Sequence, residues 1–169
     1  ERRLHVGVLP PQSENEYRDM LPEKRARYLL ANLLAYHRRE AKPVWWSYHE
    51  RCENIDQLLE FDKEAIAGLT LVPEIAPYKL GKQDRNLVYT YRMPDQRHKL
   101  APGHPVHDPA TKKLAGTIVE IDETNGRLAL KFSGTAEAAA NVHALIPGGP
   151  RATDAQQEAL QRIGDAYLG

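Results

Sequence analysis

The chain has 169 residues, with 23 Lys and Arg balanced by 23 Asp and Glu, so its formal net charge is zero. This balance excludes a protein that is drawn as a whole onto nucleic acid or an anionic membrane, and any polyanion site must be a local patch. A single cysteine, Cys52, excludes an intramolecular disulfide, and no apolar segment is long enough to span a bilayer, so the sequence predicts a cytoplasmic protein without a membrane partner.

The first part of the sequence predicts a connector followed by a helical stalk. Residues 1–22 lack periodicity and contain Pro10-Pro11, which indicates a connector. Residues 23–69 repeat apolar side chains at three- and four-residue intervals, which is typical of helices. The apolar face of the first helix comprises Ala26, Leu29, Leu30, Leu33 and Leu34. We expect Pro43 to break or kink this helix, because proline lacks an amide donor and clashes with the preceding turn.

The second half of the stalk predicts further short helices. Trp45 and Trp46 follow the expected break, and we expect this pair to pin the two helices together with Cys52 packed beside it. Asn54 and Gln57 have the spacing of a capping box. Asp62 is a possible cap for another helix that runs through Leu69.

Residues 70–147 predict a small antiparallel β-barrel. Apolar and polar residues alternate from Leu87 to Met93, as in a half-buried strand. Segments 117–122 and 127–132 flank Asn125-Gly126, a pair that favours a hairpin because both residues tolerate positive φ. We also expect an edge strand within 69–80 and a strand at 142–146, which makes about five short strands in a closed barrel of the SH3/OB type.

The C-terminal segment 148–169 predicts a linker and a helix. Gly148-Gly149-Pro150 ends the barrel, and the helix begins near Thr153. Its candidate core residues are Ala155, Ala159, Leu160, Ile163 and Tyr167. The predicted fold class is therefore α+β: an N-terminal helical stalk, a small antiparallel β-barrel and a C-terminal helix.

Several segments of residues 20–169 resemble the middle region of a bacterial fusion family. The resemblance rests on segment 27–46 with its tryptophan pair, on Gly81-Lys82, on Pro109-Ala110-Thr111 and on Pro147-Gly148-Gly149-Pro150. The proteins of that family join a RecB-like nuclease to a superfamily 1 helicase. In related helicases such a region is a helical stalk that bears a small β-barrel, and the barrel contacts nucleic acid.

The resemblance implies an accessory nucleic-acid-binding module of an ATP-dependent nuclease–helicase. Its expected partners are single-stranded or forked DNA, with RNA as a possibility, and the adjacent nuclease and helicase domains of the same polypeptide. ATP and magnesium are expected for the parent protein. This sequence has no Gly-x-x-x-x-Gly-Lys-Ser/Thr phosphate loop, so we expect no catalytic residues and no cofactor in this chain alone, and a motor domain after residue 169.

The resemblance also implies a role for Gln156. Superfamily 1 motors carry a glutamine shortly before the phosphate loop, and its amide hydrogen-bonds the adenine of ATP. Gln156 is a candidate for this contact once the motor domain is present. An equally good interpretation is structural, because Thr153 and Gln156 have the spacing of a capping box.

The predicted nucleic-acid contacts are basic residues on or beside the strands, which would release counterions from phosphates. They are Lys79, Lys82, Arg85, Arg92, Lys112 and Lys113. Tyr78, Tyr89 and Tyr91 are candidates for stacking on bases. The competing interpretation of each single residue is that the cations are solvated and the alternate tyrosines form the core.

Two other motifs suggest metal chemistry. Glu40 and Lys42 have the spacing of a nuclease Glu-x-Lys pair, but they lie in a predicted helix rather than on a strand. His104, His107 and Asp108 offer three metal ligands from one loop, whereas closed structural sites use four. The context favours a non-nuclease helix and surface histidines, so no metal site is predicted.

A second class of function remains open on the sequence alone. Small barrels of the SH3 type bind peptides as readily as nucleic acids. The chain is therefore either the stalk and barrel of a nuclease–helicase or a protein-interaction or spacer module.

Overall fold

The computed structural model describes residues 10–168, apart from the side chain of Leu168. These residues form two compact units. Residues 10–45 and 150–168 make up the helical unit, and Trp46–Gly149 make up the sheet unit. The fold is α+β, as the sequence predicted. None of the helices within the described residues combines the length and apolar character that a membrane crossing requires.

The secondary structure follows the predicted order of helices, strands and a last helix. The helices are α1 (Glu14–Asp19), α2 (Pro22–Glu53), α3 (Leu58–Phe61), α4 (Ala136–Ala140) and α5 (Asp154–Leu168). A 3-10 turn at Ile55–Gln57 precedes α3. The strands are β1 (Ile66–Ala67), β2 (Thr70–Leu71), β3 (Val88–Arg92), β4 (Pro105–Asp108), β5 (Lys113–Asp122), β6 (Arg127–Phe132) and β7 (Ala144–Pro147).

Part of the predicted connector is helical, and Arg25 holds it in place. Ser13 caps α1, since its hydroxyl oxygen accepts a hydrogen bond from the backbone N–H of Glu16 at 3.1 Å. The Arg25 guanidinium lies 5.3 Å from the centre of the Tyr17 ring and donates to the Met20 carbonyl at 3.3 Å. Residues 1–9 of the predicted connector lie outside the described residues.

Pro43 does not break the long helix, so of the two predicted effects, a break or a kink, the break was wrong. α2 is continuous from Pro22 to Glu53 with Pro43 in its interior. Proline removes only its own amide donor from the helix, and Pro43 is exposed, so water can reach the carbonyl of Arg39 that loses its partner. The helix therefore continues through Pro43 although one backbone hydrogen bond is lost.

The segment after α2 also departs from the prediction. The Asn54 side chain donates to the Glu50 carbonyl at 3.0 Å and makes no capping bond, so the predicted capping box is not formed. Residues 62–69 are not helical. Instead, Ile66 and Ala67 form β1, because their backbone pairs with Leu145 and Ala144 of β7.

The antiparallel sheet is curled into a half-barrel by its strand order. The order is β1-β7-β4-β5-β6-β3-β2, so the two edge strands are the ones joined by Gly68 and Leu69. Both edges of the sheet therefore meet at this short connection, and the sheet must curve round between them. Gly68 makes the corner at φ +71, a conformation that suits glycine.

The strands predicted around β3, β5, β6 and β7 are confirmed, whereas the edge strand predicted within 69–80 is reduced to β2 and an isolated bridge between Tyr78 and Val88. The β5–β6 hairpin is also confirmed, but its turn is not the one expected. Among the described turn residues only Gly126 has a positive φ, at +59. Asn125 instead donates from its backbone N–H and its side chain to the Asp122 carboxylate.

The sheet unit has one large core and a smaller one beside the end of α2. The large core is lined from alternate positions of β3 and β6 and from Ala115 and Ile118 of β5, and its most deeply buried members include Tyr91, Leu128 and Leu130. The smaller core joins Tyr48 and Cys52 to β1 and β7. The tyrosine alternation on β3 is therefore core packing.

The core predicted for the helical segments is only partly formed. Leu30 is buried, and Leu34 packs against it. Several other predicted core residues are exposed, namely Ala26, Leu29, Leu33, Ala155, Ile163 and Tyr167. The predictions for those positions were wrong, because each of these helices buries a stripe narrower than its apolar residues would cover.

Candidate nucleic-acid interface

One end of the curled sheet collects the connections that carry most of the predicted basic residues. β3 begins at Val88, which pairs with Lys131 near the end of β6. β5 begins at Lys113, and its Gly116 pairs with Phe132, the last residue of β6. The loop before β3 and the turn before β5 therefore emerge at the same end of the sheet.

The predicted basic residues of these two connections are all exposed. The connections span residues 79–87 and 109–113, and Asp84 is their acidic residue. We call their cations the basic end, which consists of Lys79, Lys82, Arg85, Lys112 and Lys113. Within residues 10–168 none of these cations takes part in a salt bridge. Their charges are available to an anionic partner.

The loop 79–87 is tied to the sheet where it leaves and where it returns. Tyr78 and Val88 exchange two backbone hydrogen bonds, of 3.2 and 2.7 Å. Close to its return the loop accepts another, from the Phe132 N–H to the Leu87 carbonyl at 2.9 Å. The loop cations are therefore presented from a base that is part of the sheet.

The turn 109–113 is built around the buried carboxylate of Asp108. Its oxygens accept hydrogen bonds from the Ala110 N–H at 3.0 Å and from the Thr111 hydroxyl at 2.8 Å. Lys112 has a positive φ of 57 and donates its N–H to the Asp108 carbonyl, while its own carbonyl accepts from the Tyr48 hydroxyl at 3.1 Å. This network fixes the backbone from which the two turn lysines project.

Arg92 is not part of the basic end. It is the last residue of β3, and it pairs with Thr70 on one side and Arg127 on the other. It lies four positions along β3 from Val88, which corresponds to about 13 Å. The structure thus separates Arg92 from the other predicted contacts, which the sequence alone could not do.

The three candidate tyrosines differ in how far they are buried. Tyr89 and Tyr91 are buried, so the core interpretation is confirmed for them and base stacking is wrong. The Tyr91 hydroxyl donates to the Ala139 carbonyl at 2.9 Å, and the Tyr89 ring meets Phe132 edge to face at 6.1 Å. Tyr78 is 42% exposed and immediately precedes the loop that carries Lys79.

Lys131 is a further cation of this region, and it was not among the contacts predicted from the sequence. Its Nζ lies 2.6 Å from Oδ1 of Asp84, and the two side chains are 28% and 27% exposed. The hydrogen bond from Lys131 is the main cause that lowers the pKa of the Asp84 carboxyl. In the sequence Lys131 is simply an outward residue of an alternating strand, so no local signal marks it.

The metal and nuclease motifs do not assemble a site. The described residues contain no cluster of three or more His, Cys, Asp or Glu side chains that could hold a metal ion. His104 accepts from the Ala101 N–H, and the Asp108 oxygens are used by the turn. Glu40 and Lys42 are exposed on α2, so they lie on a helix, as the context suggested.

His107 has a packing role instead. Its ring meets the Tyr48 ring edge to face at 5.9 Å, and burial lowers its pKa. The ring also lies against Gly148, where an added Cβ would come within 2.8 Å of His107 Cε1. The first glycine of the Pro-Gly-Gly-Pro segment is therefore required by close packing.

The tryptophan pair does not pin two helices, so that prediction was wrong. Trp45 and Trp46 lie within the continuous helix α2 and are 45% and 69% exposed. Cys52 packs in the smaller core with Tyr48 and Leu58, not beside the tryptophans. Burial raises the pKa of the Cys52 thiol above its ordinary value, as expected for a thiol packed in a core.

Gln156 is exposed at the start of α5. The neighbouring Gln157, rather than Gln156, reaches back to the helix start, since its side-chain amide donates to the Thr153 hydroxyl at 2.9 Å. The structural interpretation of Gln156 as a capping-box residue was therefore wrong.

Comparison with models of protein families, with curated proteins and with solved structures finds no match for this chain.

Proposed function

We propose that this chain is an accessory nucleic-acid-binding module of an ATP-dependent nuclease–helicase, non-catalytic by itself and cytoplasmic. In this proposal the half-barrel is of the SH3/OB type and binds single-stranded or forked DNA, or RNA. ATP and magnesium act in the adjacent nuclease and helicase domains, and Gln156 contacts adenine once the motor domain is present. The observation that carries the proposal is the basic end, where exposed cations without salt bridges gather at one end of the sheet.

The distribution of charge supports this end over the opposite one. At the opposite end the β5–β6 hairpin carries Glu120, Asp122 and Glu123, against Arg127 and its β3 neighbour Arg92. A polyanion is therefore attracted to the basic end more strongly than to this end, although the whole chain has no net charge. Each phosphate neutralised on a single strand contributes about 0.7 to the slope of log affinity against log salt concentration.

Neutralising the two turn lysines tests the proposal. The double variant Lys112→Gln/Lys113→Gln removes two phosphate contacts, so we expect the salt slope for a fluorescently labelled single-stranded oligonucleotide to become shallower by about 1.4. Arg92→Gln, at the other end of β3, is the control and should leave the slope nearly unchanged. Fluorescence anisotropy between about 20 and 200 mM salt measures both.

Two results would contradict the proposal. The absence of binding by the unmodified chain at the lowest salt would show that the basic end is not a nucleic-acid site. An equal loss in Arg92→Gln and in the double lysine variant would show that any binding is non-specific attraction to positive charge.

A protein-interaction module is the second candidate, and one observation favours it. Leu29, Leu33, Tyr36 and Val44 are between 43% and 48% exposed and lie along one side of α2, at separations of four, three and eight residues. An apolar stripe of this kind suits a helical or apolar protein partner. This alternative predicts no salt-dependent binding of the oligonucleotide.

A further inference from the structure

One carboxylate at the basic end, that of Asp84, is paired with a lysine and lies close to a turn of the backbone. Asp84 Oδ1 lies 2.6 Å from Nζ of Lys131. Gly81 lies beside the same carboxylate, since a Cβ added at Gly81 would come within 3.6 Å of Asp84 Oδ2, and the charge of Lys79 also lowers the pKa of this carboxyl. All of these interactions favour the ionised carboxylate. The surroundings of Asp84 are therefore those of a bound anion.

The same set of donors suits a phosphate group. Lysine ammonium groups and backbone N–H groups in a turn are common ligands of phosphate oxygens, which resemble carboxylate oxygens in charge and hydrogen-bonding capacity. Lys131 projects from the interior of the sheet, where its backbone is paired with Val88 on one side and Thr117 on the other. Its backbone is therefore held by a strand on each side.

We propose that Lys131, Lys79 and the Gly81 N–H form a phosphate-binding subsite that Asp84 occupies in the free protein. The inference rests on the proposed function, since it supplies an internal competitor for the nucleic acid that the basic end binds. A phosphodiester displaces the Asp84 side chain, and Lys131 then joins the exposed cations. Asp84 thus weakens binding and makes it more selective for strands that deliver a phosphate at this position.

The displacement is energetically reasonable. The Asp84–Lys131 pair is more than a quarter exposed on both sides, and ion pairs of this kind contribute little to stability. A polyanion brings several phosphates to the basic end at once, so exchanging one carboxylate for one phosphate requires only a small gain. The loop keeps its backbone bonds at Tyr78, Val88 and Leu87 when the side chain leaves.

The variant Asp84→Asn tests the subsite. It keeps the side chain nearly isosteric but removes the competing charge, so we expect the oligonucleotide to bind about three- to ten-fold more tightly and the salt slope to steepen by about 0.7. Adding Lys131→Gln to Asp84→Asn should cancel this gain. Circular dichroism and thermal unfolding of each variant check that the fold is retained.

Asp122→Asn is the matched control. Asp122 is also a carboxylate with a lowered pKa, but its main partner is Asn125 in the acidic hairpin. The net charge changes equally in both variants. An equal gain in affinity in Asp122→Asn would show that the effect comes from overall charge, and it would overturn the inference. Unchanged or weaker binding in Asp84→Asn would also overturn it.

A titration with inorganic phosphate tests the subsite independently of the proposed function. In Asp84→Asn we expect phosphate to shift the amide NMR signal of Gly81, with a smaller shift in the unmodified chain. If phosphate shifts this signal but no oligonucleotide binds, the subsite stands and the proposed function fails. If the unmodified chain binds the oligonucleotide but neither ligand responds to Asp84→Asn, the function stands and the subsite fails. If neither ligand binds any variant, both fail.

Discussion

The sheet unit and the helical unit bury their apolar residues to very different extents. In the sheet unit Leu128 and Leu130 are completely buried, and Ile118 is 1% exposed. In the helical unit Leu29 and Leu33 leave 45% and 48% of their surface exposed. The sheet unit is therefore specified by packing over long sequence distances, whereas the helical unit depends more on the local terms that stabilise a helix.

The largest expected difference between the two units comes from one matched pair of truncations. Leu128→Ala removes a completely buried side chain and should lower the free energy of unfolding by about 2–5 kcal/mol. Leu33→Ala removes a half-exposed side chain from a helix, where alanine is at least as favourable, and should change it by less than about 0.5 kcal/mol. Urea denaturation followed by circular dichroism measures both values. A comparable loss in the two variants would show that Leu33 is packed as a core residue.

The contrast also explains which parts of the fold could be predicted from the sequence. β3, β5 and β6 alternate apolar and polar residues, and this period is imposed by a sheet with one buried face, so their positions were predicted well. β1 was not predicted, because a strand of two residues is too short to show an alternation of apolar and polar side chains. Ile66 and Ala67 become a strand only through pairing with β7, which is about 80 residues away in the sequence.

The candidate site, like the fold, could be predicted from the sequence only in part. The sequence could identify Lys79, Lys82, Arg85, Lys112 and Lys113 as exposed loop or turn cations. It could not show that they share one end of the sheet while Arg92 lies at the other, since this follows from strand register. Lys131 was missed because its significance comes from Asp84, 47 residues earlier.

The next prediction tests the local character of the helical segments. Pro43 lies in the interior of α2 and is exposed, so its main effect is the missing hydrogen bond and the clash with the preceding turn. Pro43→Ala should therefore raise the free energy of unfolding by about 1–3 kcal/mol and increase the helical circular dichroism signal. Val44→Ala, at the next exposed position, is the control and should gain about 0.5 kcal/mol or less. If Pro43→Ala destabilises the chain, the proline is making a contact that its exposure does not reveal.

The smallest expected change in stability comes from removing the Tyr91 hydroxyl, a polar group buried inside the sheet unit. The Tyr91 hydroxyl donates to the Ala139 carbonyl at 2.9 Å inside the large core. Tyr91→Phe removes this bond and leaves the carbonyl without its donor, so we expect a loss of about 1–2 kcal/mol at pH 7. Tyr78→Phe, which alters an exposed ring, should have little effect. Urea denaturation of the three proteins at the same pH gives the comparison.

The pH dependence provides a second readout for the same residue. Burial raises the pKa of the Tyr91 phenol above its ordinary value of 10.0, so in alkaline solution the unfolded chain loses this proton before the folded chain does. The stability contributed by the protonated phenol is complete below pH 10 and is lost as the pH rises towards the folded-state pKa, by at most about 1.4 kcal/mol per pH unit. Tyr91→Phe should therefore lose stability less steeply than the unmodified chain between pH 10 and 11. If the two slopes are equal, the alkaline loss belongs to another group, and Tyr48, whose pKa burial also raises, is the first to test.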